Sequence, residues 1–253
     1  MAMAGETHDD EAAIRHDLVT ACRLFARFGW TDLGATHLST RLKGSLEERF
    51  IINPHGCWLG AMREDLLYRH SLRAENDCLR QGEQKEGVGV AIHSAIYTAR
   101  KDIHCVLHTH TTAGIAVSMQ ESGLQMLSNQ AAMFFGKLAY HEARLGEDEP
   151  AGTARDLAKN DAMILRHHGL LVCGRNVPEA FVRMHLLQRA CESQIAGQMA
   201  GVPLLPMLTE VCVAISGQAD ALIHHHASAV WPTLSHLVSQ NASEYAHFPL
   251  ENN

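Results

Sequence analysis

The stretch "DIHCVLHTHTTAG" (102–114) decides how this chain is read. Apolar Ile103, Val106 and Leu107 form a short strand-like run. It closes on two histidines at i and i+2, followed by threonines able to cap a helix. Alternate side chains of a strand share a face. His108 and His110 therefore point the same way, roughly 6–7 Å apart along the backbone, while Thr109 turns to the other face. That spacing lets two imidazoles converge on one ion at nitrogen–metal distances of about 2.0–2.1 Å. A third imidazole must come from elsewhere, and a catalytic ion keeps a further position open.

A second stretch, "AMILRHHGLLVCG" (162–174), repeats this grammar. An apolar strand exits into His167 and His168, Gly169 permits a tight turn with close backbone approach, and a second apolar strand follows. Two strands that both end in histidine can set those ends side by side, giving three imidazoles on one rim of a sheet.

Outward from these stretches, strands and long helices interleave. Residues 9–28 read as a helix with Asp9 or Asp10 as its cap, ended by Gly29. "ATHLSTRL" (35–42) and "RFIINP" (49–54) alternate as strands do. "MREDLLYRH" (62–70) and "DCLRQ" (77–81) flank a hairpin. Residues 88–100, 111–120, 149–159 and 177–199 are helical. The last of these has Pro178 in its first turn and an apolar stripe of Phe181, Met184, Leu187, Cys191 and Ile195. The chain then stays helical to about residue 240. The pattern predicts one domain over 1–253, a three-layer α/β/α sandwich on a mainly antiparallel or mixed sheet, with a helical C-terminal extension from about 203.

Composition narrows the function. A chain of 253 residues is long enough for a large core, and a net charge of −7 argues against a nucleic-acid binder. Seven scattered cysteines and no CxxC pair fit a reduced, cytoplasmic protein better than a disulfide framework. The N-terminus carries no apolar signal-like run, and no segment approaches the ~18 apolar residues of a membrane span.

Three ordered motifs then carry a resemblance. "GATHLSTRL" with "FIINPHG", "ARKDIHCVLHTHTTAG", and "MILRHHGLLVCGRNVPEAF" together resemble the class II aldolase/adducin family over residues 11–200 or so. The resemblance implies a nine-stranded α/β/α domain, often a homotetramer with active sites at subunit interfaces. It also implies a divalent ion, usually Zn²⁺ with Fe²⁺ or Mn²⁺ as alternatives, held by His108, His110 and His168. Substrate anion binding carries over to Thr36, His37, Asn53 and Gly56. The sugar-phosphate aldolases of the family have a glutamate acid/base in a serine-rich loop, and this chain has Gly89 there. Glu86, three residues earlier, is the candidate replacement. Without the serines, the expected substrate is a small hydroxy- or keto-compound rather than a sugar phosphate, cleaved through a metal-stabilised enolate. The alternatives are a non-haem iron oxygenase on the same three histidines and a non-catalytic module of the adducin kind.

Other histidines read more plainly. His93 sits beside Ile96 and Tyr97 on a helix face and reads as core packing. His55 belongs to the substrate loop or to a solvated turn. His224, His225 and His226 point about 100° apart on a helix and cannot share one ion. Cys105 and Cys173 read as inert core thiols.

Overall fold

The computed structural model describes residues 6–42, 48–72, 87–143 and 148–239. Helix α1 (Glu6–Arg27) forms because Leu18, Ala21, Cys22 and Phe25 recur at i, i+3, i+4 and i+7, and all four are fully buried. It begins before Asp9 and Asp10, which therefore fall inside its first turns rather than at its cap. Gly29, at φ +70°, ends it, and the Trp30 N–H donates back to the Phe25 carbonyl at 2.8 Å.

The strands are β1 (His37–Arg41), β2 (Arg49–Ile52), β3 (Tyr68–Ser71), β4 (Cys105–Thr109), β5 (Leu138–His141), β6 (Ala162–Leu165) and β7 (Gly169–Gly174). They lie in the order β3-β2-β1-β4-β7-β6-β5, and every pair is antiparallel except the parallel β5–β6. The described residues thus form a seven-stranded mixed sheet, not the nine strands expected. Of the proposed hairpin over 62–81, β3 is present, and "DCLRQ" lies outside the described residues.

Alternation splits the sheet's side chains between two cores. Val106, Met163, Leu171 and Cys173 join α2 (Val88–Ala99) and α5 (Glu149–Leu157) on one face. Leu107, Ile164, Leu170 and Val172 meet α1 and α6 (Val177–Met199) on the other. Short α3 (Thr112–Ser118) and α4 (Asn129–Ala132) pack on the α6 side, and α7 (Thr209–Ser239) runs along α6 and α1. Asn176 caps α6 by accepting from the Glu179 N–H at 2.9 Å. Burial pushes the Cys173 thiol well above its usual range, so it is protonated core, as expected. No described helix is long and apolar enough to cross a membrane.

One close approach positions the site. His167, not Gly169, takes the left-handed conformation (φ +59°) in the β6–β7 turn. Gly169 answers to the close backbone approach read from the sequence: a Cβ there would lie 2.3 Å from the Thr109 carbonyl oxygen at the end of β4. Gly169→Ala is therefore expected to lower stability by about 1–3 kcal/mol, as overpacking does. Urea unfolding checks this, and an unchanged midpoint would contradict the close approach.

Candidate metal centre and substrate cavity

Strand β4 pairs with β7 so that His108 faces Leu171 and Thr109 faces Leu170. The turn between β6 and β7 therefore hangs over the exit of β4 and carries His168 beside the other two imidazoles. The three ring centroids form a near-equilateral triangle: 4.6 Å for His108–His110, 4.9 Å for His108–His168 and 4.7 Å for His110–His168. One nitrogen from each lies within 4.8 Å of the others. Thr109, on the opposite face, donates its hydroxyl to the Trp30 carbonyl and fixes the strand end.

The tautomers follow from the partners. His108 Nδ1 lies 3.0 Å from the Leu170 carbonyl, which can only accept. His110 Nδ1 lies 3.0 Å from the Asp32 carboxylate. Each ring thus donates from Nδ1, and in its neutral form keeps a lone pair on Nε2. The two Nε2 atoms face each other at 2.7 Å. Two lone pairs at that distance repel unless a cation, a shared proton or a metal ion, stands between them. Asp32 and the Leu170 carbonyl are the partners that orient metal-binding imidazoles elsewhere. The donor set fits a divalent cation.

His37 stands directly opposite His108 in the β1–β4 pair, with the rings 4.6 Å apart. Its Nδ1 meets His93 Nε2 at 2.8 Å, His93 Nδ1 meets Ser39 Oγ at 2.5 Å, and Ser39 Oγ meets the Tyr97 hydroxyl at 2.8 Å. His93 is core, as its helix position suggested, yet it is also a link in this chain. Gly89 lies against it: a Cβ there would be 2.7 Å from His37 Cδ2 and 2.9 Å from Nε2. The side-chain space of position 89 is filled by the His37 imidazole.

Beside these rings lies a cavity of about 480 Å³, walled by Ile52, Val90, Ile92 and Tyr68 and reaching His37, His110 and His168. Thr36 and Asn53 border it, but both side chains also hold the loop together. Thr36 Oγ1 accepts from the Asp32 N–H at 3.0 Å. The Asn53 amide accepts from Leu38 N–H and donates to the Thr36 and Pro54 carbonyls. Gly56 shapes the wall through Gly34, whose own Cβ would fall 2.3 Å from the Gly56 Cα. His55 lines the cavity. Glu86 lies outside the described residues; its neighbour Gly87 lines the cavity. His224 pairs with Glu179 at 2.8 Å, far along the chain from these histidines.

Sequence reading missed two groups. One is Asp32, the orienting carboxylate. The other is buried His141 at the end of β5, held by Asp156 at 2.8 Å and Glu149 at 3.2 Å. Asp32 meets His110 across 78 positions, and His141 meets carboxylates 8 and 15 positions on across a strand-to-helix connection, so no helix or strand period marks either.

Burial and neighbouring imidazoles hold His37 and His108 well below the usual histidine range; burial takes His93 to about 3 and also lowers His168. These rings are neutral in the fold.

The sequence matches the family described as "Class II Aldolase and Adducin N-terminal domain" over residues 16–195, and the chain belongs to that family. A Pseudomonas aeruginosa protein provisionally named as an aldolase class 2 protein is 34% identical over 238 residues, 91% of each chain. Rat alpha-adducin is 37% identical over 192 residues, 73% of this chain but 26% of the adducin. Among solved structures, an aldolase II superfamily protein from Pseudomonas syringae superposes with a TM-score of 0.82, at 35% identity over 95% of this chain and 99% of that one. The L-fuculose 1-phosphate aldolase of Glaciozyma antarctica gives 0.77, at 27% identity over 97% and 96%.

Two outcomes follow. Asp32→Ala should weaken metal affinity about 10–100-fold, as loss of an orienting partner does. A competition titration with a chromogenic chelator measures it, and unchanged affinity would deny Asp32 that role. The second concerns pH. Neutral buried rings bind fewer protons than the unfolded chain's histidines, which titrate near about 6.5. Stability of the metal-free protein should therefore fall as pH drops from 7 to 5, by up to about 1.4 kcal/mol per pH unit for each of the fully buried rings His93 and His108. Urea midpoints across that window test the sign.

Proposed function

We propose that this protein is a divalent-cation-dependent lyase of the aldol type, acting on a small hydroxy- or oxo-carboxylate rather than a sugar phosphate. The observation that carries the reading is the pair of anchored imidazoles, His108 and His110, with Nε2 lone pairs face to face at 2.7 Å. With His168 they would hold Zn²⁺, or Fe²⁺ or Mn²⁺ in its place. Such an ion supplies Lewis acidity, which stabilises negative charge growing on a substrate oxygen.

The chain's own residues do the rest. Asp32 and the Leu170 carbonyl keep protons off both Nε2 atoms. Ile52, Val90 and Ile92 exclude water from the cavity wall. The Thr36–His37 segment receives the substrate anion, with Asn53 and Gly56 fixing its shape. Glu86, next to cavity-lining Gly87, is the proposed proton carrier, since Gly89 has none to offer. A phosphate dianion needs several donors and positive charge. Arg69 is the one arginine or lysine among the described lining residues, and it already pairs with Glu11. A single carboxylate suits such a lining better.

The reading includes a cytoplasmic homotetramer. The six described cysteines are all free, as a reducing compartment allows. Leu205 and Leu208, just before α7, and Val211 and Val213 in its first turns are exposed, where a neighbouring subunit would cover them.

The test is elemental analysis of gently purified protein, joined to retro-aldol assays. One ion per chain is expected, lost in His108→Ala, with cleavage of 4-hydroxy-2-oxo acids and none of fuculose 1-phosphate. A metal-loaded protein inert to the oxo-acid aldols would sink the assignment.

A further inference from the structure

We propose that His37 keeps a proton on Nε2, aimed into the cavity, as a neutral donor for one substrate carboxylate oxygen, and that Tyr97, acting through Ser39 and His93, fixes the proton there. This rests on reading the cavity as a substrate site.

The argument is one of hydrogen-bond satisfaction along a buried chain. Tyr97 is fully buried, and Ser39 Oγ is the one hydrogen-bond partner of its hydroxyl among the described residues. A buried O–H with nothing to accept its proton is costly, so Tyr97 donates to Ser39. Ser39 has one proton of its own. Having accepted from Tyr97, it donates to His93 Nδ1 at 2.5 Å. His93 then carries its proton on Nε2 and donates to His37 Nδ1 at 2.8 Å. His37 Nδ1 being an acceptor, its proton sits on Nε2. Running the chain the other way leaves the Tyr97 proton stranded in the core.

The ring cannot evade this role by turning away. His93 holds one edge, and the backbone at Gly89 abuts the other closely enough that a methyl group would not fit. No described side chain or backbone group bonds His37 Nε2, and the ring lines the cavity beside His110 and His168. A second positive charge next to a divalent ion is unfavourable, so a neutral N–H is the donor this position can offer. Such a group accepts nothing. It selects a carboxylate oxygen and rejects an ammonium group at the same place. Tyr97, Ser39 and His93 are positioning residues; only His37 touches the ligand.

The experiment uses the protein as purified with its metal, labelled with [¹⁵N]histidine. Solid-state NMR reads the tautomer of His37, assigned by the signal lost in His37→Gln. Nε2–H is expected in the wild type, and a mixture in Tyr97→Phe, where the Ser39 hydroxyl is free to turn. An Nδ1–H tautomer in the wild type overturns the proposal. Calorimetry with pyruvate, and with alanine as the ammonium control, supplies the second arm. His37→Leu should weaken pyruvate binding about tenfold. His37→Gln, whose amide N–H reaches about as far as Nε2, should restore most of it, with metal content unchanged in both. Equal pyruvate affinity in wild type and His37→Leu, or tighter binding of alanine than of pyruvate, overturns the proposal. The NMR arm does not depend on the ligand or the activity. A correct tautomer in a protein that binds neither metal nor pyruvate would sink the cavity reading instead.

Discussion

Two backbones have to lie almost in contact for the three imidazoles to meet: the end of β4 at Thr109 and the start of β7 at Gly169. The β4–β7 ladder brings them to that distance, and any side chain at 169 would hold them apart. Because the strands are antiparallel, a chain leaving β6 must turn within Arg166–His168 before entering β7, and the turn falls above the exit of β4. His168 thus arrives from sixty residues away without a long loop. The same ladder places the Leu170 carbonyl under His108 Nδ1. One register therefore sets both the third donor and the tautomer of the first.

The neutral histidines extend this dependence. His37, His93, His108 and His168 are all held below the usual range for their type, mainly by burial. Clustered neutral rings are tolerable only while each has somewhere to put its proton. His108 meets a carbonyl, His110 a carboxylate, and His93 sits between Ser39 and His37 in a chain that begins at Tyr97, which leaves the His37 proton facing the cavity. The polar interior of this rim is a set of directed bonds, and direction decides which nitrogen faces the cavity.

What the sequence made legible was local and periodic. The i, i+2 histidines on an apolar strand, the histidine–glycine turn and the stripes of α1 and α6 all repeat at the spacing of their own element. The two-faced core was equally readable, since alternate residues of β6 and β7 divide between helix layers. What stayed hidden depends on pairing between distant segments. Asp32 meets His110 across 78 positions, and His37 meets His93 across 56. The role of Gly169 was readable only in part. A tight turn with close backbone approach was read there; the left-handed turn residue is His167, while the close approach is to the carbonyl of another strand. The strand count came from the resemblance rather than from any period in the chain, and the described sheet has seven strands.

The relation between positions 37 and 89 bears on the chemistry more than either does alone. The volume beside the three imidazoles is filled once: the His37 ring stands where a side chain at 89 would begin. A carboxylate at 89 and an imidazole at 37 in this rotamer exclude each other sterically, so the glycine and the histidine are one feature. The difference is also electrostatic. A carboxylate at 89 would stand beside the donor triangle itself, whereas the Asp32 carboxylate reaches it only through the far side of the His110 ring. A divalent ion held by these rings would keep much of its charge on the cavity side, where it would suit a ligand that brings its own negative charge. On the proposed reading, a carboxylate-bearing substrate would supply that charge, which ties the glycine at 89 and the expected anionic ligand to the same arrangement of rings.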